Sequence, residues 1–162
     1  MLLEGEIKKF EKKILRCKGD QEKIKIECEN IQNKIKTKSF PNSLKEKLEK
    51  EMIRVFGERY PEQKFAVRSS AVGEDSEEMS AAGQMTTFLG VSGMSSILES
   101  IVNCWISQFS QTAVEYKRGY GQAINSQMGV VIQKMVPSEV AGVMFTCSPL
   151  DGNQRYISIS AS

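Results

Sequence analysis

Residues 65–91 read FAVRSSAVGEDSEEMSAAGQMTTFLGV. An apolar run, Phe65-Ala66-Val67, ends on a single arginine, and a second apolar run begins only at Phe88-Leu89. Lys64 to Arg68 has the composition of a short strand, and the residues after it are small or acidic. An arginine at the end of a strand suits anionic oxygens, because its guanidinium presents a rigid fork of donors that matches phosphate bidentately. Ser69, Ser70 and Ala71 keep the approach open. The alternative is a structural ion pair between Arg68 and Glu74 or Asp75. Further along, Gly83 permits a backbone path that brings amides close to a ligand, and Thr87 offers a hydroxyl. The chain has neither a GK[ST] phosphate loop nor a GxGxxG turn, so a nucleotide site here belongs to another class.

Working outward, the flanks are helical upstream and strand-like downstream. Residues 1–38 predict two charged helices with narrow apolar stripes, Leu3-Ile7-Phe10-Ile14 and Ile24-Cys28-Ile31-Ile35, separated at Gly19-Asp20. Phe40-Pro41 interrupts the pattern. Ser43-Leu44-Lys45-Glu46 matches a capping box opening a helix with Leu44, Leu48, Met52 and Phe56 inward and Gly57 as its stop. Ser96-Ile97-Leu98-Glu99 predicts a second box, at the start of one long helix carrying Ile97, Ile101, Trp105, Phe109 and Ala113 on one face and ending at Lys117-Arg118-Gly119. Gly129 to Val136, GVVIQKMV, reads as a strand covered on both faces. Pro137-Ser138-Glu139 predicts a turn into Ala141 to Cys147, forming a hairpin, and Tyr156 to Ser160 alternates as a last strand. The sequence stops on that strand-like pattern, at Ala161-Ser162, which predicts a piece of a longer protein.

Composition narrows the function classes. The chain has 162 residues, 40% hydrophobic and 26% charged, as expected of a globular protein. No apolar run approaches the roughly 20 residues of a membrane span, and the N-terminus lacks a signal-peptide pattern. The net charge of +2 is unevenly placed. Seventeen Lys/Arg and twelve Asp/Glu precede Phe65, an excess of five positive charges, whereas five and eight follow, an excess of three negative ones. Lysines interleaved with glutamates describe a solvated helix face rather than a nucleic-acid site. Four cysteines without CxxC spacing fit reduced thiols in a cytoplasmic protein. Histidine is absent, which excludes a Ser-His triad, a histidine-bound zinc and a phosphohistidine within this chain.

The segment VRSSAVGEDSEEMSAAGQMTTFLGV, the helix containing Cys104-Trp105 and the block VVIQKMVPSEVAGVMFTCSP together resemble one family. It is the N-terminal nucleotide-binding domain shared by phosphoenolpyruvate synthase, pyruvate phosphate dikinase and rifampicin phosphotransferase. The likeness covers residues 40–160. It implies an α+β chain: part of an ATP-grasp fold over residues 39–162, cut short at its C-terminal end, with a mainly antiparallel sheet and a charged helical segment over 1–38.

Residue by residue, the resemblance implies that Arg68 contacts ATP phosphates and carries the catalytic role, and that Gly83 and Thr87 belong to the loop over the phosphate chain. It places Gln133 beside the nucleotide, with the backbone of Lys134 to Val136 at the adenine edge. Met135 would form either an apolar wall for the base or part of the core. Glu74 and Asp75 would hold the arginine loop, and Gly142 and Phe145 would serve packing. The implied chemistry moves phosphate from ATP to a histidine on a swivelling domain, and then to pyruvate or another small acceptor. Mg²⁺ would bridge the phosphates, with its ligands outside this chain.

The departures from the family are the absent histidine, the absent early glycine-rich segment with its ATP-binding lysine, and the absent downstream glycine-containing and acidic motifs. Each missing charge-assisted contact is worth about 1.5–3 kcal/mol, so the chain by itself is expected to bind ATP weakly and to transfer no phosphate. The AGQMTT form of the loop is closer to the synthase and rifampicin branch, favouring water or an alcohol as co-acceptor. The competing reading is a non-catalytic nucleotide-binding or regulatory module that has lost phosphotransfer.

Overall fold

The computed structural model describes residues 4–71, 86–125 and 127–161. Helix α1, Glu4–Arg16, and helix α2, Gln21–Lys36, form an antiparallel hairpin. The hairpin turns where the sequence places Gly19-Asp20; Gly19 takes φ +90°, and the Asp20 carboxylate caps α2 by accepting from the Lys23 amide at 3.2 Å. Both expected stripes are buried: Ile7, Phe10 and Ile14 on one helix, Ile24, Cys28, Ile31 and Ile35 on the other. Leu3 lies outside the described residues. Lys13–Glu27 and Lys34–Glu6, each at 2.7 Å, link the two helices along their exposed flanks, where such pairs contribute little.

Helix α3, Asn42–Phe56, ends at Gly57, whose φ of +83° and ψ of 170° are open to glycine and costly for other residues. Its expected capping box does not form. The helix starts two residues earlier, from Pro41, with no side-chain cap, so Ser43 already lies inside the first turn. The second box fails in the same way. Helix α4, Met94–Ser107, starts from Gly93, which places Ser96 within the helix.

The long helix expected to reach Gly119 is two helices. A break follows Ser107, and the Ser110 hydroxyl accepts from the Ala113 amide at 3.2 Å to start helix α5, Gln111–Gly119. Serine competes for backbone amides in this way and is favoured at caps over helix interiors. The inward residues keep their role: Ile97, Ile101, Phe109 and Ala113 are buried, and half-buried Trp105 stacks on Phe40 with centroids 5.7 Å apart.

Three antiparallel strands, β1 (Phe65–Ala71), β2 (Thr87–Val91) and β3 (Met128–Lys134), form a sheet in the order β2-β1-β3. Strands β4 (Gly142–Phe145) and β5 (Ser158–Ala161) pair in a separate ribbon. The hairpin expected between residues 129–136 and 141–147 is therefore absent. β3 pairs with β1 far upstream in sequence, and β4 pairs with β5. After β3 the chain turns at once, the Ser138 amide bonding the Val136 carbonyl at 2.9 Å, and the next strand, β4, belongs to the separate ribbon.

Nor is β3 covered on both faces among the described residues. Val130 and Ile132 pack inward while Val131 is exposed. The last strand is shorter than expected, with Tyr156 and Ile157 preceding it, and β4 and β5 are exposed along their length.

Two apolar cores result. One joins the α1–α2 hairpin to Ile106, Phe109, Val114 and Ile124. The other sets Met52, Tyr60, Phe65 and Val67 against Ile97, Ile101 and Cys104. Helix α4 contributes to both.

Candidate functional site

Among the described residues, the β2-β1-β3 sheet has one face on α4 and one face open. On β1, Phe65 and Val67 are fully buried, and Arg68 emerges on the other side, exposed. In an antiparallel sheet, residues directly opposite share a face. Arg68 stands opposite Thr87 of β2 and Val131 of β3. Gln133, two residues beyond Val131 and opposite Ala66, belongs to the same face. Three of the four expected site residues, Arg68, Thr87 and Gln133, are thus brought together on the open side. The fourth, Gly83, lies outside the described residues, as do Glu74 and Asp75. Among the described residues Arg68 makes no ion pair.

The placement of Thr87 depends on an irregularity that composition alone does not announce. Phe88 and Val91 both pack on the inner core, yet they are three apart, and strict alternation would send them to opposite faces. The register resolves the conflict. Phe65 pairs with Val91 and Val67 with Phe88, so β2 spends three steps where β1 spends two. The extra residue makes a bulge at Leu89-Gly90, with Gly90 at φ +71°, the left-handed setting that such bulges give to glycine. Without the bulge, keeping Val91 inside would turn Thr87 inward as well. With it, both apolar residues stay in the core and Thr87 faces out beside Arg68. The signal was available in the sequence, as two large apolar residues at odd spacing around a glycine.

Two sulfur atoms brace this arrangement. Beneath the sheet, the buried Cys104 thiol of α4 lies 3.8 Å from the Val67 carbonyl and 3.7 Å from the Thr86 carbonyl, close behind Arg68 and Thr87. Burial pushes this thiol up to about 11, so it stays protonated and can donate. Across the sheet, Met135 continues β3, its amide bonding the Lys64 carbonyl at 2.9 Å. The Met135 Sδ accepts from the Gly90 amide at 3.1 Å. Of the two expectations for Met135, base wall or core, the structure adds a third contact.

Chemically the face offers a guanidinium, a hydroxyl and a carboxamide, all able to donate to anionic oxygens. No group of three or more His, Cys, Asp or Glu capable of holding an ion occurs among the described residues, and no helix among them is long and apolar enough to cross a membrane.

Over residues 2–162 the sequence matches the family described as pyruvate phosphate dikinase, AMP/ATP-binding domain. It is 36% identical over 148 residues to phosphoenolpyruvate synthase from Pyrococcus furiosus, covering 88% of this chain and 18% of that protein. It is 36% identical over 143 residues to rifampicin phosphotransferase from Streptomyces sviceus, covering 88% and 16%. With rifampicin phosphotransferase from Bacillus cereus it shares 45% identity over 102 residues, covering 62% and 12%. The chain spans less than a fifth of the length of these curated relatives.

Proposed function

Because the chain belongs to the pyruvate phosphate dikinase AMP/ATP-binding domain family, we propose that its open sheet face is one wall of an ATP site in an ATP-grasp-type phosphotransferase. The observation that carries this reading is the register pair Arg68–Thr87 on an exposed face, with Gln133 beside it. Arg68 holds the phosphate chain by its fork of donors, and the Thr87 hydroxyl donates to a neighbouring oxygen. Gln133 and the backbone of Lys134 to Val136 lie toward the base, and Gly83 closes the loop over the phosphates. In this role Arg68 offsets charge that shifts among the phosphate oxygens during transfer.

Phosphate then passes to an imidazole on a carrier domain outside this chain, and from there to a small acceptor. The relatives that the chain matches are named for phosphoenolpyruvate synthesis and rifampicin phosphotransfer, which supports a small molecule rather than a macromolecule as acceptor. Magnesium normally accompanies ATP in such chemistry. The described residues gather no carboxylate cluster for it, so its ligands are assigned outside the described residues and no step is derived through it. A cytoplasmic setting suits an ATP-dependent enzyme whose four thiols are unbridged, three of them buried.

Calorimetric titration of Mg·ATP into the chain tests the site. Weak binding is expected, with Arg68→Ala lowering affinity about 10- to 100-fold, as loss of one charge-assisted contact dictates. Equal affinities for the wild type and Arg68→Ala would remove Arg68 from the phosphate site.

A further inference from the structure

The contact between Met135 and Gly90 has no place in the nucleotide chemistry just described, yet it ties the two outer strands of the sheet together across the central one. Strand order is β2-β1-β3. A side chain leaving β3 must pass over β1 to reach β2, and Ala66, small and buried although it belongs to the open face, leaves room for it. The Met135 Sδ ends 3.1 Å from the Gly90 amide, which donates to it. Gly90 is the positive-φ residue of the bulge, and the bulge is what turns Thr87 outward opposite Arg68.

We propose that Met135 is a positioning residue for phosphate binding: its thioether holds the Leu89-Gly90 bulge in register and so keeps the Thr87 hydroxyl beside Arg68. This rests on the ATP reading of the open face. Thioether sulfur is a weak acceptor, and that weakness suits a group that fixes a strand without competing for the ligand. A flexible, unbranched side chain can also span a neighbouring strand where a β-branched one could not.

The test uses the whole 162-residue chain with Met135→Leu, Met135→Gln, Thr87→Ala and the Met135→Leu/Thr87→Ala double variant. Leucine keeps apolar bulk and removes the acceptor, whereas glutamine restores an acceptor at similar reach. Amide hydrogen exchange followed by NMR is expected to quicken at Gly90 about threefold to tenfold in Met135→Leu, the range of one lost hydrogen bond. Protection in α4 should not change, and glutamine should return Gly90 toward the wild-type rate. Mg·ATP titration should show Met135→Leu weakening binding, with the double variant no weaker than Thr87→Ala alone, because both changes act through one hydroxyl.

Unchanged Gly90 exchange in Met135→Leu overturns the proposal, and so do losses that multiply in the double variant. If the wild-type chain binds no nucleotide, the ATP reading falls. The clamp is then still decided by whether Gly90 exchange and the Thr87 resonances move together in Met135→Leu and recover in Met135→Gln.

Discussion

Single residues divide into those whose chemistry shows in the sequence and those whose role depends on a fold partner. Arg68 was legible because a charged residue at the end of an apolar run has few places to go. Cys104 was not, since a lone cysteine in a helix reads only as a small apolar residue. Its role comes from two carbonyls that approach it from β1 and from the residue preceding β2.

Burial raises the thiols of Cys28 and Cys104 from 9.0 to about 11, and this predicts an alkaline weakness. Below pH 9.0 both thiols are protonated whether the chain is folded or unfolded, and they add no pH dependence. Between 9.0 and about 11 the unfolded chain releases protons that the folded chain keeps, so stability falls as pH rises. The loss is about 1.4 kcal/mol per thiol for each pH unit in that window. Urea midpoints measured through this range should fall more steeply for the wild type than for Cys28→Ala/Cys104→Ala, whose lower starting stability does not affect the slope. Parallel slopes would mean that these thiols ionise normally in the folded chain.

Secondary-structure elements were legible where periodicity decides them, and less so where ends or partners do. The inward stripes of α1 and α2 follow from 3.6-residue spacing, a property of the segment itself, whereas on α3 Met52 is buried, Leu48 and Phe56 pack partly against the core, and Leu44, expected inward, stays exposed. Capping boxes misled twice, because Pro41 and Gly93 start their helices before the serine that the motif favours. The false hairpin had a similar origin. Neighbouring strands joined by a turn are the economical guess, but β3 finds its partner in β1, and a strand's partner is a long-range property that a local pattern does not carry.

The bulge in β2 permits a substitution test. A Cβ at Gly90 would meet open space, so Gly90→Ala adds backbone strain without a clash. The cost expected for a left-handed residue is about 1–2 kcal/mol, read as a lower urea midpoint. Asparagine, which tolerates that region better, should cost less. If alanine and asparagine cost the same, strain at this φ is not the cause.

For the whole molecule, periodicity and the family resemblance pointed to a mixed α and β chain, and charge to a basic N-terminal part, but none of them hinted that this part shares a core with α4 and α5. Ile14 is fully buried there, and Ile14→Ala should cost about 2–5 kcal/mol, measured by equilibrium unfolding. The same experiment probes how the two cores communicate. Helix α4 gives Ile97, Ile101 and Cys104 to the sheet side and Val102 and Ile106 to the hairpin side. Neither core can open without stripping one flank of this common wall.

Trp105, stacked on Phe40, reports on the sheet side by fluorescence, while circular dichroism weights the N-terminal helices. The two signals should trace one transition, and Ile14→Ala should shift both together. Two separated transitions would mean that α4 does not couple the halves. A shared helix of this kind makes cooperativity a property of the site as well as of the fold. The alignment of Arg68 with Thr87 is then underwritten by packing on the far side of α4, and a loosened N-terminal hairpin would surface as a nucleotide-binding defect with every residue of the open face intact.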